Sequence, residues 1–233
     1  MPNSYLVDIN IPKDALYDMK KYGKVNFSHK LPDVYYPVNS HPDIQIYISD
    51  NKTAYTTTQL KPFFENILPN EIKIEGVREE LGSRYPENVL FNIASLGNFI
   101  VCNKKYTSKE IISYYEKTEK TIINVKQGYA KCNICIVSEN AVITEDCGIY
   151  NELKKNNIDV LLIKPGNVKL DRFDYGFIGG ASGYIDKNLI GFIGRIESHP
   201  QFEEIKKFIH KYNKNFVSLG NGGLTDCGSI LML

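Results

Sequence analysis

The chain has no tryptophan, and its 233 residues include only three methionines, four histidines and four arginines. No apolar run approaches the roughly 20 residues that a membrane-spanning helix needs, so a helical membrane protein is not expected. The opening Met1-Pro2-Asn3-Ser4-Tyr5-Leu6-Val7-Asp8 lacks the basic start and apolar stretch of a secretory leader, and a cytoplasmic protein is expected. An excess of charge of one sign is missing as well. The 28 basic and 27 acidic residues leave a net charge of +1 and lie scattered without blocks. Neither nucleic acid nor an anionic membrane is therefore an expected partner; a small-molecule ligand is.

Paired cysteine spacings are also wanting. The five cysteines at 102, 132, 135, 147 and 227 form an odd set without a disulfide framework, which suits a reducing compartment. Cys132-Asn133-Ile134-Cys135 matches a bare CxxC, but redox pairs open a helix and Ile134-Cys135-Ile136-Val137 reads as a strand. With no second CxxC and no His-x(3–5)-His, no metal centre is expected from spacing. No cofactor is expected either. Gly179-Gly180-Ala181-Ser182-Gly183 lacks the Lys-Ser/Thr of a phosphate-binding turn and is read as close strand packing.

What the chain does have is a repeat. Runs of strand character begin at Ile44, Val89, Ile134 and Phe177, about 45 residues apart. Each is followed by a second strand, a helix and a third strand. In one unit these are Asn98–Cys102, a helix through Ile111, Ile112, Tyr114 and Tyr115, and Thr121–Val125; the next has Ala141–Thr144, Asp146–Leu153 and Val160–Ile163. The last has Leu189–Ile193, a helix with Phe202, Ile205, Phe208, Ile209 and Tyr212 on one face, and Phe216–Leu219. Thr107-Ser108-Lys109-Glu110 and Ser198-His199-Pro200-Gln201 have the form of capping boxes. A reduced first unit fits residues 5–40, with a helix near Asp14–Tyr22 and a strand over Lys24–Ser28. The expected units within one domain are 5–40, 41–86, 87–131, 132–174 and 175–233.

Units of this length that bury one helix face each cannot stand alone and should stack around an axis. Five of them make an α/β propeller, and here the chain resembles the pentein superfamily, the fold of guanidino-group-modifying enzymes, as an uncharacterised branch of it. The ending Gly220-Asn221-Gly222-Gly223-Leu224-Thr225-Asp226-Cys227-Gly228-Ser229-Ile230-Leu231-Met232-Leu233 resembles that superfamily's nucleophilic cysteine after a glycine-rich turn. The resemblance implies Cys227 as nucleophile, a histidine as acid/base and carboxylates that hold a cationic group. Of the four histidines, His41 is the one next to an inner strand start, at Ser40-His41-Pro42-Asp43. Asp43, Glu87 and Asp174 are expected to converge near the axis with Cys227 as ligand-binding residues. One departure stands out: where catalytic relatives open a middle unit with a His-x-Asp-like element, this chain has Lys131-Cys132-Asn133-Ile134.

Three readings follow. The leading one is a cytoplasmic pentein-fold protein of undefined role that binds a guanidino or amino-acid-like molecule in a central cleft. The second is a cysteine-dependent guanidino hydrolase or amidinotransferase. The third is a non-catalytic interaction module, as in translation initiation factor 6, which shares the fold. Asp226, beside Cys227, would raise the thiol pKa and counts against catalysis. The polar stretch Glu75–Pro86 carries Arg78 and Arg84 and reads as a solvated turn or as a segment gripping a carboxylate.

Overall fold

The computed structural model describes residues 3–233; Met1 and Pro2, part of the stretch read for a leader, lie outside the described residues. The first unit has β1 (Asn3–Val7), α1 (Lys13–Met19) and β2 (Gly23–Phe27). The second has a helical turn α2 (Pro42–Gln45), β3 (Ile46–Ile48), β4 (Thr53–Thr57), α3 (Lys61–Ile67) and β5 (Lys73–Val77). In the third come β6 (Ala94–Leu96), β7 (Phe99–Cys102), α4 (Lys109–Tyr115) and β8 (Thr121–Asn124). The fourth opens on a second helical turn, α5 (Ala130–Asn133), before β9 (Ile134–Ser138), β10 (Ala141–Thr144), α6 (Cys147–Lys155) and β11 (Asp159–Leu162). The fifth has β12 (Ser182–Asp186), β13 (Leu189–Ile193), α7 (Phe202–Lys211) and β14 (Asn215–Leu219), and β15 (Leu231–Met232) follows.

These strands form five three-stranded sheets, each with an antiparallel inner pair and a parallel outer pair. The helix in each unit crosses between the two parallel strands, as parallel pairing requires. The expected five-unit propeller is the observed fold. The first unit is not reduced, however. Its inner strand is β15, which pairs antiparallel with β1 through Tyr5↔Met232 and Leu6↔Leu231 and closes the ring.

Each helix fills the space between its own sheet and the sheet before it. Ile149 and Leu153 of α6 pack with Ala94, Leu96 and Val101 of the third unit. Ile205 and Ile209 of α7 pack with Cys135, Val137 and Ile143 of the fourth. Phe64 of α3 meets Leu6 of β1, and Ala15 and Met19 of α1 meet Ile185 and Ile193 of the fifth unit. The apolar helix faces are thus buried only by stacking, so neighbouring units hold one another.

Two helix starts differ from expectation. At α4, Thr107 makes no capping bond; Glu79 of the preceding loop accepts from Ser108 Oγ (3.0 Å) and from the Lys109 N–H (2.7 Å). Glu110 is free of the expected box because its carboxylate accepts the Arg78 N–H at 2.9 Å. At α7, Ser198 lies in a 3-10 turn and donates to the Arg195 carbonyl, while His199 Nδ1 accepts the Gln201 N–H. Asp146 does cap α6, accepting the Ile149 N–H at 2.7 Å. No helix among the described residues is long and apolar enough to cross a membrane.

Candidate functional site

The inner strand of every unit begins at the axis, and the residue just before it decides what the axis holds. Pro42 starts the α2 turn in the second unit, and its ring keeps His41 extended (ψ 123°), so His41 and Asp43 are both turned inward and buried. In the fourth unit the side-chain Oδ1 of Asn92 caps the α5 turn by accepting the N–H groups of Lys131 (2.7 Å) and Cys132 (3.2 Å), which fixes Cys132 at the axis. Near the end of the chain Gly228 (φ 65°) and Ser229 (φ 74°) both lie in the left-handed region and turn the backbone sharply. A side chain at Gly228 would run into His41, so glycine is required there.

These turns deliver polar groups from the second to the fifth unit to a single network. Ser229 Oγ donates to Asp43 Oδ2 (2.8 Å) and lies 3.0 Å from the Gly179 carbonyl. The Cys132 thiol donates to the same Asp43 oxygen at 3.0 Å, and Asn92 Nδ2 lies 3.2 Å from the Cys132 sulfur. Lys131 Nζ donates to Ser229 Oγ at 2.9 Å. Gly179 and Gly180 pack against the backbone of Lys131 and Cys132 and against the Asp226 carboxylate, the close approach expected of that glycine run.

His41 stands between two more buried carboxylates. Its Nε2 is 3.9 Å from Asp8 Oδ2 and its Nδ1 is 3.8 Å from Asp226 Oδ1. Asp8 also accepts from Ser40 Oγ and the Asn10 N–H, and Asp226 accepts from the N–H groups of Phe177 and Gly228. Burial raises the pKa of both acids, opposed by the nearby His41. Burial likewise pushes the Cys132 thiol well up, with Asp43 and then Asp226 adding to the effect. His41, Asp43 and Cys132 bring three ligand-type atoms within 4.8 Å of one another.

On the strand side of this network the five inner strands line an open cavity of about 780 Å³. Asp43 and Lys131 belong to its lining, with Tyr47, Phe91 and Tyr184 as aromatic wall and Asp50 and Glu139 where the inner strands give way to their turns. On the opposite side the network is covered. Val34, Val38 and Ile44, with Leu31, Leu81, Tyr129 and Leu170, form an apolar cap from the loops that precede the inner strands. Arg84 lies over the Tyr35 ring in this region, 5.9 Å from its centroid, an exposed cation–π contact.

The residues named from sequence separate into three groups. His41 and Asp43 come together at the axis. Glu87 and Asp174 do not join them: both are exposed, Glu87 in a loop against Gly82 and Asp174 in the turn before Gly176. The expected register is displaced because Val89–Ile93 and Phe177–Ala181 are apolar turns, with β6 and β12 starting only at Ala94 and Ser182. Cys227 is buried among Tyr5, Val7, Ile11, Met19, Ile185 and Ile230. Its thiol is pushed well above its ordinary range by burial, then by Asp8 and Asp226, so a thiolate is not favoured there. Asp8, Asn92, Cys132 and Ser229 were not foreseen as site residues. Cys132 had a signal, its place at an inner strand start, whereas Asp8 and Asn92 carry none in the sequence.

Residues 6–231 match a family of unknown function, DUF6873, and the chain belongs to it. No curated protein matches the chain. Among solved structures it is similar to the dimethylarginine dimethylaminohydrolase of Pseudomonas aeruginosa with citrulline (TM-score 0.58, 8% identity, 100% of both chains). It is also similar to an agmatine deiminase of C. jejuni with substrate bound (TM-score 0.52, 13% identity, 91% of this chain and 78% of that one). A third neighbour is a cyanobacterial arginine dihydrolase (TM-score 0.56, 10% identity, 100% of this chain and 39% of that one). At these identities the likeness is one of fold, and the fold is the pentein fold.

Proposed function

We propose that this member of the DUF6873 family is a cytoplasmic, non-catalytic pentein whose axial cavity binds a small molecule carrying a guanidino or amino-acid-like group. The observation that carries this reading is the cavity itself: about 780 Å³, bounded by all five units, with Asp43 and Lys131 in one lining. That volume is in the range of small-ligand sites. A carboxylate suits the cationic end of such a ligand, an ammonium suits its carboxylate, and Tyr47 and Tyr184 add aromatic lining. Cys227 is outside that lining, with its thiol held protonated by burial and by the nearby Asp8 and Asp226. The solved neighbours act on dimethylarginine, agmatine and arginine, which supplies the compounds to test.

The test is calorimetric titration of the full chain with arginine, agmatine and dimethylarginine, run with a chelator present and paired with an assay for released ammonia, amine or citrulline. Binding without turnover is expected, weakened at least tenfold in Asp43→Asn and unchanged in Cys227→Ala. Iodoacetamide at neutral pH should label the exposed Cys147 long before Cys227. Absence of binding by all three compounds overturns the reading. Turnover that disappears in Cys227→Ala replaces it with the hydrolase reading.

A further inference from the structure

The axial network holds more negative charge than its own residues can balance. Asp8, Asp43 and Asp226 are all buried, and the basic groups beside them are a single histidine and Lys131, which is engaged with Ser229. Buried carboxylates without cationic partners are costly, so such clusters either keep protons or take up a cation. Two further observations point to a cation. The Asp43 Oδ1 atom and the His41 Nδ1 atom are both fully buried and have no hydrogen-bond partner. Unpaired buried polar atoms are rare and call for a missing partner.

From this we infer that His41, Asp43 and Cys132 form a binding site for one divalent ion of the zinc type. The donor set selects the ion: imidazole nitrogen, carboxylate oxygen and thiolate sulfur together suit a borderline-soft first-row metal rather than calcium or magnesium. The surroundings match what ligating side chains require. Whichever ring nitrogen of His41 ligates, the other faces a carboxylate, Asp8 on the Nε2 side and Asp226 on the Nδ1 side, and a carboxylate partner orients a metal-bound imidazole. Asn92 Nδ2 is placed to donate to the Cys132 sulfur, which favours the thiolate that a metal needs. In the metal-free protein the Cys132 proton is held against Asp43 Oδ2. Metal binding forms the sulfur–metal bond, breaks the S–H bond and sends that proton to solvent, so the ion leaves Asp43, Cys132 and the metal neutral as a set. The three ligands are contributed by segments 89 positions apart in sequence, which is why spacing rules do not reveal the site. The apolar cluster of Val34, Val38 and Leu170 covers one side of it, and the cavity that Asp43 lines leaves a path for the ion and the released proton on the other.

The inference does not depend on the ligand reading, although Asp43 serves both. The experiment is titration of the chelator-stripped full chain with Zn²⁺ alone and with Co²⁺ alone. One ion per chain is expected, with at least one proton released, a rise in melting temperature, and a thiolate-to-cobalt charge-transfer band. Cys132→Ser should abolish that band, and Cys227→Ala and Cys135→Ala should retain it, with circular dichroism confirming the fold of each. His41→Gln should weaken binding at least tenfold. A wild-type protein that binds Co²⁺ without a thiolate band, or binds neither ion at one per chain, overturns the proposal, as does a band that survives in Cys132→Ser. Because the small-molecule titrations are run with a chelator, failure of one reading leaves the other intact.

Discussion

Single residues in this ring are governed by the cost of burying charge. Glu145 lies at the end of β10 with one carboxylate oxygen accepting the Ile178 N–H (2.9 Å) and the other buried without a partner. Burial, with a smaller contribution from Asp226, raises its pKa to about 7. The ordinary value is 4.5, so between these two pH values the unfolded chain has lost a proton that the folded chain keeps. The unfolded state then binds fewer protons, and stability falls as pH rises through that window. The full penalty, about 3 kcal/mol, is present above pH 7 and absent below about pH 4. Glu145→Gln should therefore match the parent near pH 4 and exceed its stability by roughly 1–3 kcal/mol at pH 8. Urea unfolding of both proteins at the two pH values, with a chelator present, checks this. A difference that does not change with pH would mean that folding leaves the Glu145 pKa unshifted.

At the scale of elements, the outer parts of each unit were readable and the inner turns were not. Amphipathic helices such as α6 and α7 and the strands β10 and β13 follow from apolar spacing, and all lie where that spacing puts them. The turns at the axis are buried on every side, so Val89–Ile93 and Phe177–Gly180 are as apolar as a buried strand and are misread as one. That displacement put Glu87 and Asp174 at the axis. In the second unit β3 starts at Ile46 rather than Ile44, a displacement of two residues that leaves Asp43, in the α2 turn, at the axis. Capping was not legible for a similar reason: neither expected box forms, Asp146 caps a helix for which no box was expected, and α4 is capped by Glu79 from the loop before it, which no local pattern encodes. The consequence is a ranking of three substitutions. Asp146→Ala and Glu79→Ala should each lower unfolding stability by about 1 kcal/mol, and Ser198→Ala should stay within about 0.5 kcal/mol. Equal losses at Ser198 and Asp146 in denaturant titrations would restore the capping box at α7.

For the whole molecule, the repeat was visible in the sequence but the closure of the ring was not. Leu231-Met232 reads as the tail of the fifth unit, yet it is the inner strand of the first, and its pairing depends on a contact between residues more than two hundred positions apart. Closure matters because each unit is stabilised by its neighbours, and an unclosed ring would leave β1 with one edge unpaired. Two half-buried side chains, Leu231 and Leu233, also pack on the cluster of Leu6, Ile46 and Phe64 that joins the first two units. The Leu233 N–H adds a bond to the Ser4 carbonyl at 2.8 Å. Removing Leu231–Leu233 deletes this seam without touching Ser229 or Cys227. The truncated chain should lose about 2–4 kcal/mol, on the order of two half-buried leucines plus the strand bonds, and should associate at high concentration through the bared edge of β1. Denaturant unfolding and light scattering on the two chains measure both effects. An unchanged midpoint would mean that the first and fifth units hold together through their other contacts, α1 against Ile185 and Ile193 and the Asn3 and Tyr5 bonds to the Ile185 carbonyl among them, and that the ring does not need its closing strand.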